Sequence, residues 1–197
     1  ARHRAGLARF LRAFSWPRGF PSHLSPAMPG VIHEGGELGY ALSTAFGAAL
    51  DDPDLVVACI VGDGEAETGP TAGSWNGNKF LNPATDGAVL PILHLNRWKI
   101  ANPSISGTMT DDEIASIYTG YGWEVLFVRA SDEIAADLDR ALTGAFDTIR
   151  ALQRRSRAGE EIERPRWPLI VLETPKGWGC PSEVDGVGVP DVQPLEL

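Results

Sequence analysis

The chemistry most open to this sequence rests on Asp63, in the triplet Gly62-Asp63-Gly64, and on Asn96, 33 residues later. Each closes an apolar run, "LVVACIV" at 55–61 for the first and "AVLPILHLN" at 88–96 for the second. A carboxylate and an amide oxygen brought to one place make a hard-oxygen site, suited to Mg²⁺ or Ca²⁺. Mg²⁺ in such a site keeps positions open for phosphate oxygens. Gly62 and Gly64 let a ligand approach the backbone, and the Gly64 N–H can face a phosphate. Asp-Gly alone is a common turn pair. The setting gives it more weight here, because the triplet ends a buried strand and a second strand ends in Asn.

The elements that must position these residues follow from periodicity. Residues 1–14 read as a helix with Leu7, Phe10, Leu11 and Phe14 on one face. A Pro/Gly/Ser-rich loop follows, and then "ELGYALSTAFGAALDD", with Leu38, Ala41, Leu42, Ala45, Phe46 and Ala49 at helical spacing. Gly35 and Gly36 precede it, and a Gly-rich helix entry leaves N–H groups free to face an anion. The run 55–61 is continuous and rich in β-branched residues, so it reads as a strand buried on both faces. Residues 71–82 are predicted helical, and 88–96 form a second strand that Pro91 weakens. "DDEIASIYTGYG" reads as a helix and "WEVLFV" as a strand. Residues 131–157 read as a long helix with Ile134, Leu138, Leu142, Phe146 and Ile149 inward. "PLIVLET" at 168–174 is the fourth strand, and no regular structure is evident after it. Alternating strands and helices predict an α/β, doubly wound, mostly parallel sheet with helices on both faces. Ligands of such sheets bind at the carboxyl ends of the strands. A right-handed crossover between neighbouring strands would deliver Asp63 and Asn96 to one rim.

The totals narrow the function further. The 197 residues carry 17 basic and 26 acidic side chains, a net charge of −9. That argues against charge-driven nucleic-acid binding, yet a bound cation would let an acidic rim take a phosphate. No apolar run reaches the length of a membrane span. Two cysteines, Cys59 and Cys180, form neither a disulfide framework nor a zinc pattern, so a cytoplasmic setting is expected. The chain begins without methionine, as expected of a piece of a longer protein.

Ordered blocks along nearly the whole chain resemble the phosphoketolase family. They are "PSH" at 21–23, "IHEGGELGYALSTAFGAALDDPD" at 32–54, "VGDGEAETGP" at 61–70 and "GAVLPILHLN" at 87–96. "KIANP" at 99–103, "RPRWPLIVLETPKGW" at 164–178 and "EVDG" at 183–186 continue the series. GDG followed by Asn marks thiamine-diphosphate enzymes in general, whereas HEGGELGY with GDGEAETGP is far more specific. The resemblance implies the diphosphate-binding domain over 1–186, incomplete at its N-terminus, with an irregular tail over 187–197.

The resemblance also implies an activity, an aldehyde-lyase of carbohydrate metabolism. It would cleave xylulose 5-phosphate, fructose 6-phosphate or both with inorganic phosphate, yielding acetyl phosphate and an aldose phosphate. Thiamine diphosphate and Mg²⁺, or Ca²⁺, would be the cofactors. Asp63, Asn96 and the Trp98 carbonyl would hold the metal, and Gly62, Gly64 and Glu65 would lie against the diphosphate. Gly36 and Glu37 would line the cofactor cleft, with Lys176 facing the cofactor or the substrate phosphate. His23 would be an active-site histidine able to deliver a proton when a substrate hydroxyl leaves as water, and His33 is a second candidate. Glu65 and Glu67 could instead shape the loop. His94 reads as a core or interface histidine and His3 as exposed, while Trp75, Trp123, Trp167 and Trp178 read as packing residues. A pyrimidine-binding domain and the second subunit of a homodimer would complete the site, so the chain alone is expected to be inactive and prone to self-association. Arg97 stands where the family usually has glycine, and "GWGCP" where "GWTGP" is commoner. A transketolase-like transferase and a non-catalytic assembly domain are the alternatives.

Overall fold

The computed structural model describes residues 4–179 and 183–188. Four parallel strands form its sheet: β1 (Val56–Gly62), β2 (Ala88–Leu95), β3 (Trp123–Arg129) and β4 (Trp167–Glu173). Their spatial order is β1-β2-β4-β3. The chain steps outward from β1 to β2, leaps past the place of β4 to β3, and returns to β4. Right-handed crossovers therefore put the β1–β2 and β2–β3 connections on one face and the β3–β4 connection on the other. The doubly wound α/β expectation holds.

The helices are α1 (Arg4–Ala13), α2 (Ala41–Ala49), α3 (Asp63–Ala66), α4 (Gly69–Ser74), α5 (Asp111–Gly120) and α6 (Ile134–Arg157). Helix α5 starts on a capping box in which the Thr110 hydroxyl accepts from the Glu113 N–H and the Glu113 carboxylate accepts from the Thr110 N–H. The core gathers Leu42, Phe46, Trp75, Leu93, Trp123, Ile149, Trp167 and Val171. The Trp123 indole N–H donates to the Trp75 carbonyl at 3.0 Å, joining β3 to the β1–β2 crossover.

Several local expectations are corrected. The span 71–82 is not one helix. It holds the end of α4 and a single 3-10 turn at Gly77–Lys79, where Gly77 lies so close to Phe46 that a Cβ would come within 2.3 Å of the ring. Helix α2 starts at Ala41, because Gly39 takes a φ of +104° that ends any earlier helical course. Leu38, predicted inward, is consequently 64 % exposed. On α6, Ile149 and Ala145 are buried, whereas Phe146 points outward with the Arg150 guanidinium stacked over its ring at 5.0 Å. Strand β1 is buried on one face only. As an edge strand it leaves Ile60 62 % exposed. Pro91 is tolerated inside β2 because pairing with β4 begins only at Ile92.

Near the C-terminus Glu183–Val184 (β5) pairs antiparallel with Val187–Gly188 (β6), so the segment expected to be irregular holds a small hairpin. His3, Cys180 and residues 189–197 lie outside the described residues. Trp75, Trp123 and Trp167 are packing residues as expected, but Trp178 is half exposed.

Candidate functional site

Parallel register brings the two key residues to one rim. Gly62 pairs with His94 at the ends of β1 and β2, so Asp63 and Asn96 both sit just beyond neighbouring strand ends. The GDG is no turn here. Gly62 closes the strand with a φ of −68° and Asp63 opens the short α3.

Asp63 is 2 % exposed. Its Oδ1 accepts the Gly64 N–H at 2.8 Å and its Oδ2 accepts the Ser104 hydroxyl at 2.9 Å. Neither donor is charged, and among the described residues no basic side chain pairs with this carboxylate. A buried carboxylate normally has an ionic partner or a metal. Asn96 Oδ1 accepts the Trp98 N–H at 2.9 Å, which fixes the amide and leaves the oxygen a second lone pair. Among the described residues no hydrogen bond reaches the Trp98 carbonyl. No group of three or more His, Cys, Asp or Glu forms a metal site among the described residues. A cation held here would therefore rely on amide and backbone oxygens beside Asp63, a donor set that suits Mg²⁺. On these observations the residues fit the metal.

Two glycines open the space differently. A Cβ on Gly62 would meet nothing within 4 Å, so the strand end is clear. A Cβ on Gly64 would lie 2.9 Å from Lys99 Cγ, so the loop after Asn96 folds over the triplet. The Gly64 N–H, expected to be free for a phosphate, is taken by Asp63 Oδ1.

The glutamates of GDGEAE act as ties. Glu65 Oε1 accepts the Gly39 N–H at 2.9 Å, joining the HEGGELGY loop to the triplet. Glu67 binds the Lys99 ammonium and the Ile105 N–H, fastening the loop that covers Gly64. Burial pushes the Glu67 carboxyl up. The hydrogen bonds from Lys99 and Ile105, with the Lys99 charge, outweigh that and hold it below its ordinary value. Cys59, on β1, has its thiol pushed up to about 12 by burial and then by the Glu65 charge.

A cleft of about 500 Å³ opens at the carboxyl ends of β2, β3 and β4. Asn96, Trp98 and Lys176 line it together with Arg97, Arg129 and Glu173. Lys176 Nζ donates to the carbonyls of Lys99 and Ile100 at 2.7 and 2.8 Å, and among the described residues it has no carboxylate partner. His23 lies against the HEGGELGY loop, 3.7 Å from the place a Cβ on Gly36 would take, and its Nδ1 meets the Ser22 hydroxyl at 3.0 Å. Gly36 N–H donates to Glu34 Oε1 at 3.1 Å. Glu37 contributes its carbonyl to His33 Nε2 at 3.3 Å, and His33 lines a separate groove beside β1 and α2. His94, half-buried, pairs with the Thr174 hydroxyl at 2.9 Å between β2 and the end of β4.

Ser104 was not among the predicted site residues. It is 1 % exposed, donates its hydroxyl to Asp63, and donates its N–H to the Arg97 carbonyl at 3.0 Å. The only sequence signal is its place directly after KIANP.

The family model described as the XFP N-terminal domain matches residues 1–192. A probable phosphoketolase from Bradyrhizobium diazoefficiens is 62 % identical over 192 residues, covering 94 % of this chain and 24 % of that protein. One from Rhodopseudomonas palustris is 58 % identical over 191 residues, with the same 94 % and 24 % coverage. One from Synechococcus elongatus is 55 % identical over 184 residues, covering 92 % and 23 %. The chain thus spans about a quarter of the length of the curated relatives it matches. Among solved structures, transketolase from Leishmania mexicana superposes with a TM-score of 0.54 at 18 % identity, over 84 % of this chain and 24 % of that one. That likeness speaks to the fold alone, an α/β fold.

Proposed function

The chain belongs to the phosphoketolase N-terminal domain family, and on that premise we propose that it supplies the Mg²⁺–diphosphate half-site of a thiamine-diphosphate-dependent aldehyde-lyase. The reaction is phosphorolysis of xylulose 5-phosphate, fructose 6-phosphate or both, releasing acetyl phosphate, water and a shorter aldose phosphate. The observation that carries this reading is the buried Asp63 carboxylate, held only by neutral donors, on the rim that also bears Asn96.

In this reading Asp63 Oδ atoms, Asn96 Oδ1 and the Trp98 carbonyl hold Mg²⁺. Held there, the ion would offset the acidic surroundings and allow a diphosphate to bind. Thiamine diphosphate, when bound, supplies the nucleophilic carbon that the side chains lack. Gly62 leaves the strand end open to the diphosphate, Gly64 lies against it, and Glu65 supports it by tying the HEGGELGY loop to the triplet. Gly36 and Glu37 shape the cleft wall. Lys176 is the cation best placed for a phosphate, since its present partners are two neutral carbonyls. His23 holds or delivers a proton at a substrate hydroxyl, and His33 supports the loop next to it. A pyrimidine-binding domain and the second subunit of a homodimer complete the site in the cytoplasm, so the chain acts only with those parts.

The test uses the full-length protein that carries this domain. Acetyl phosphate is trapped as its hydroxamate after incubation with xylulose 5-phosphate, phosphate, thiamine diphosphate and Mg²⁺. The expected result is product from the wild type and a loss of it in Asp63→Ala. Transfer of the two-carbon unit to an aldose with no phosphate consumed would replace this reading by a transketolase-like one.

A further inference from the structure

The turn that carries Asn96 and Trp98 has a left-handed centre. Arg97 takes a φ of +68°, a region that side-chain-bearing residues seldom enter. Its own backbone preference does not select this shape. Its side chain is anchored on three sides. Nε and Nη2 donate to Glu173 Oε1 at 2.8 and 2.6 Å, at the end of β4. Nη1 donates to the Met109 carbonyl at 3.1 Å, and Nη2 reaches Asp111 Oδ1 at 3.4 Å at the start of α5. Arg129, from the end of β3, pairs with the other oxygens of Glu173 and Asp111, so both carboxylates are themselves fixed.

The backbone of the same residue points the other way. The Arg97 carbonyl accepts the Ser104 N–H, and the Ser104 hydroxyl donates to Asp63. Gly107 leaves that carbonyl room, since a Cβ there would come within 2.2 Å of it. One residue thus connects the ends of β2 and β4, and through shared carboxylates Arg129 at the end of β3, with the carboxylate at the end of β1. Both cleft arginines are neutralised by Glu173 and Asp111, which makes them poor receptors for a substrate anion.

We infer that Arg97 is a positioning residue: clamped by Glu173, Asp111 and the Met109 carbonyl, it holds the Asn96–Trp98 turn in the shape that offers Asn96 Oδ1 and the Trp98 carbonyl to a cation. The inference rests on the proposed metal role of those two oxygens. A planar, five-donor guanidinium can bridge three partners in fixed geometry, and an ammonium cannot.

Amide hydrogen exchange on the full chain tests the clamp without any cofactor. Arg97→Lys keeps the charge but loses the fork, Arg97→Ala removes the clamp without freeing the backbone, and Arg97→Gly lets residue 97 take the left-handed shape unaided. Arg97→Lys and Arg97→Ala are expected to speed exchange at the Trp98 and Ser104 amides about tenfold or more, with the Leu93 amide in β2 unchanged, while Arg97→Gly stays closer to the wild type. Calorimetry with Mg²⁺ and thiamine diphosphate on the full-length protein should show affinity weakened by about tenfold in Arg97→Lys and Arg97→Ala and less in Arg97→Gly. Glu173→Gln, which spares the backbone at residue 97, should move both readouts the same way and covers the case in which an Arg97 variant does not fold. Unchanged exchange at Trp98 and Ser104 overturns the clamp. Faster exchange with unchanged cofactor affinity leaves the clamp standing and overturns the metal role of Asn96 and Trp98.

Discussion

At the scale of single residues the site is a set of committed hydrogen bonds around one buried carboxylate. Ser104→Ala would strip Asp63 Oδ2 of its donor and leave it buried. A loss of about 1–3 kcal/mol in urea unfolding is expected, and saturating Mg²⁺ with thiamine diphosphate should restore part of it, because the cation replaces the lost donor. Equal loss with and without cofactor would contradict a metal at Asp63. Glu67 gives a pH test. Its carboxyl is held below the ordinary value of 4.5, so its stabilising contribution is present above that value and is lost as pH falls through the lower native one. Glu67→Gln should flatten the acid limb of the unfolding midpoint, and an acid limb as steep as in the wild type would rule the tie out. The Cys59 thiol, buried on β1 and pushed up to about 12, should resist a thiol reagent until the chain unfolds. With Cys180→Ser as background, rapid reaction in buffer would show that β1 opens locally. The placement of Asp63 and Asn96 on one rim was legible in the sequence because each directly follows an apolar strand, a position fixed by local pattern. Ser104 was not, since its role arises only when the loop after Asn96 folds back over β1. The Glu65 contact with Gly39 spans 26 residues and leaves no local trace either.

At the scale of elements, the four strands and the helices α5 and α6 were readable from periodicity. What failed were boundaries that close packing decides. The break between α4 and the 3-10 turn sits where Phe46 presses on Gly77, and the late start of α2 follows from the left-handed Gly39. Arg97 is a similar case, for its side-chain partners come from β4, from α5 and from the Met109 carbonyl in the loop before α5. Two substitutions separate packing from mere exposure. Gly107→Ala forces a Cβ to within 2.2 Å of the Arg97 carbonyl, a backbone atom that cannot step aside, so a loss of several degrees in Tm is expected. Gly62→Ala meets nothing within 4 Å and should leave Tm nearly unchanged while hindering the diphosphate. Comparable melting of the two variants would argue against the close approach at Gly107. On the opposite side of the sheet, Gln153 of α6 donates to the carbonyls of Pro53 and Asp86 at 3.2 and 3.3 Å. It is a polar residue in the core because it satisfies the backbone of the loops flanking β1 and β2.

At the scale of the whole molecule, more than half of the exposed large apolar side chains among the described residues fall between Leu7 and Tyr40, and Ile60 on the edge strand β1 adds another. Helix α1 has the predicted amphipathic pattern, but Leu7, Phe10, Leu11 and Phe14 are all exposed, with the Phe10 ring tilted against Phe20 at 4.9 Å. Ile60 on the open face of β1 adds to this surface, beside a groove of about 380 Å³ lined by Leu24, Ile32 and Ala45. Burying apolar area is the main gain of association, at about 25 cal/mol per Å², and an edge strand also offers unpaired backbone groups. A chain spanning a quarter of its relatives' length is expected to leave surface of this kind where the rest of the protein would pack. The chain by itself should therefore sediment with an average mass that rises with concentration. Leu11→Glu with Ile60→Lys should suppress that rise without lowering Tm, because neither side chain supports the core. In the full-length protein the same pair should instead weaken assembly. A chain that stays monomeric at all concentrations, with the double variant harmless in the full-length protein, would mean that this surface is ordinary solvent-exposed face.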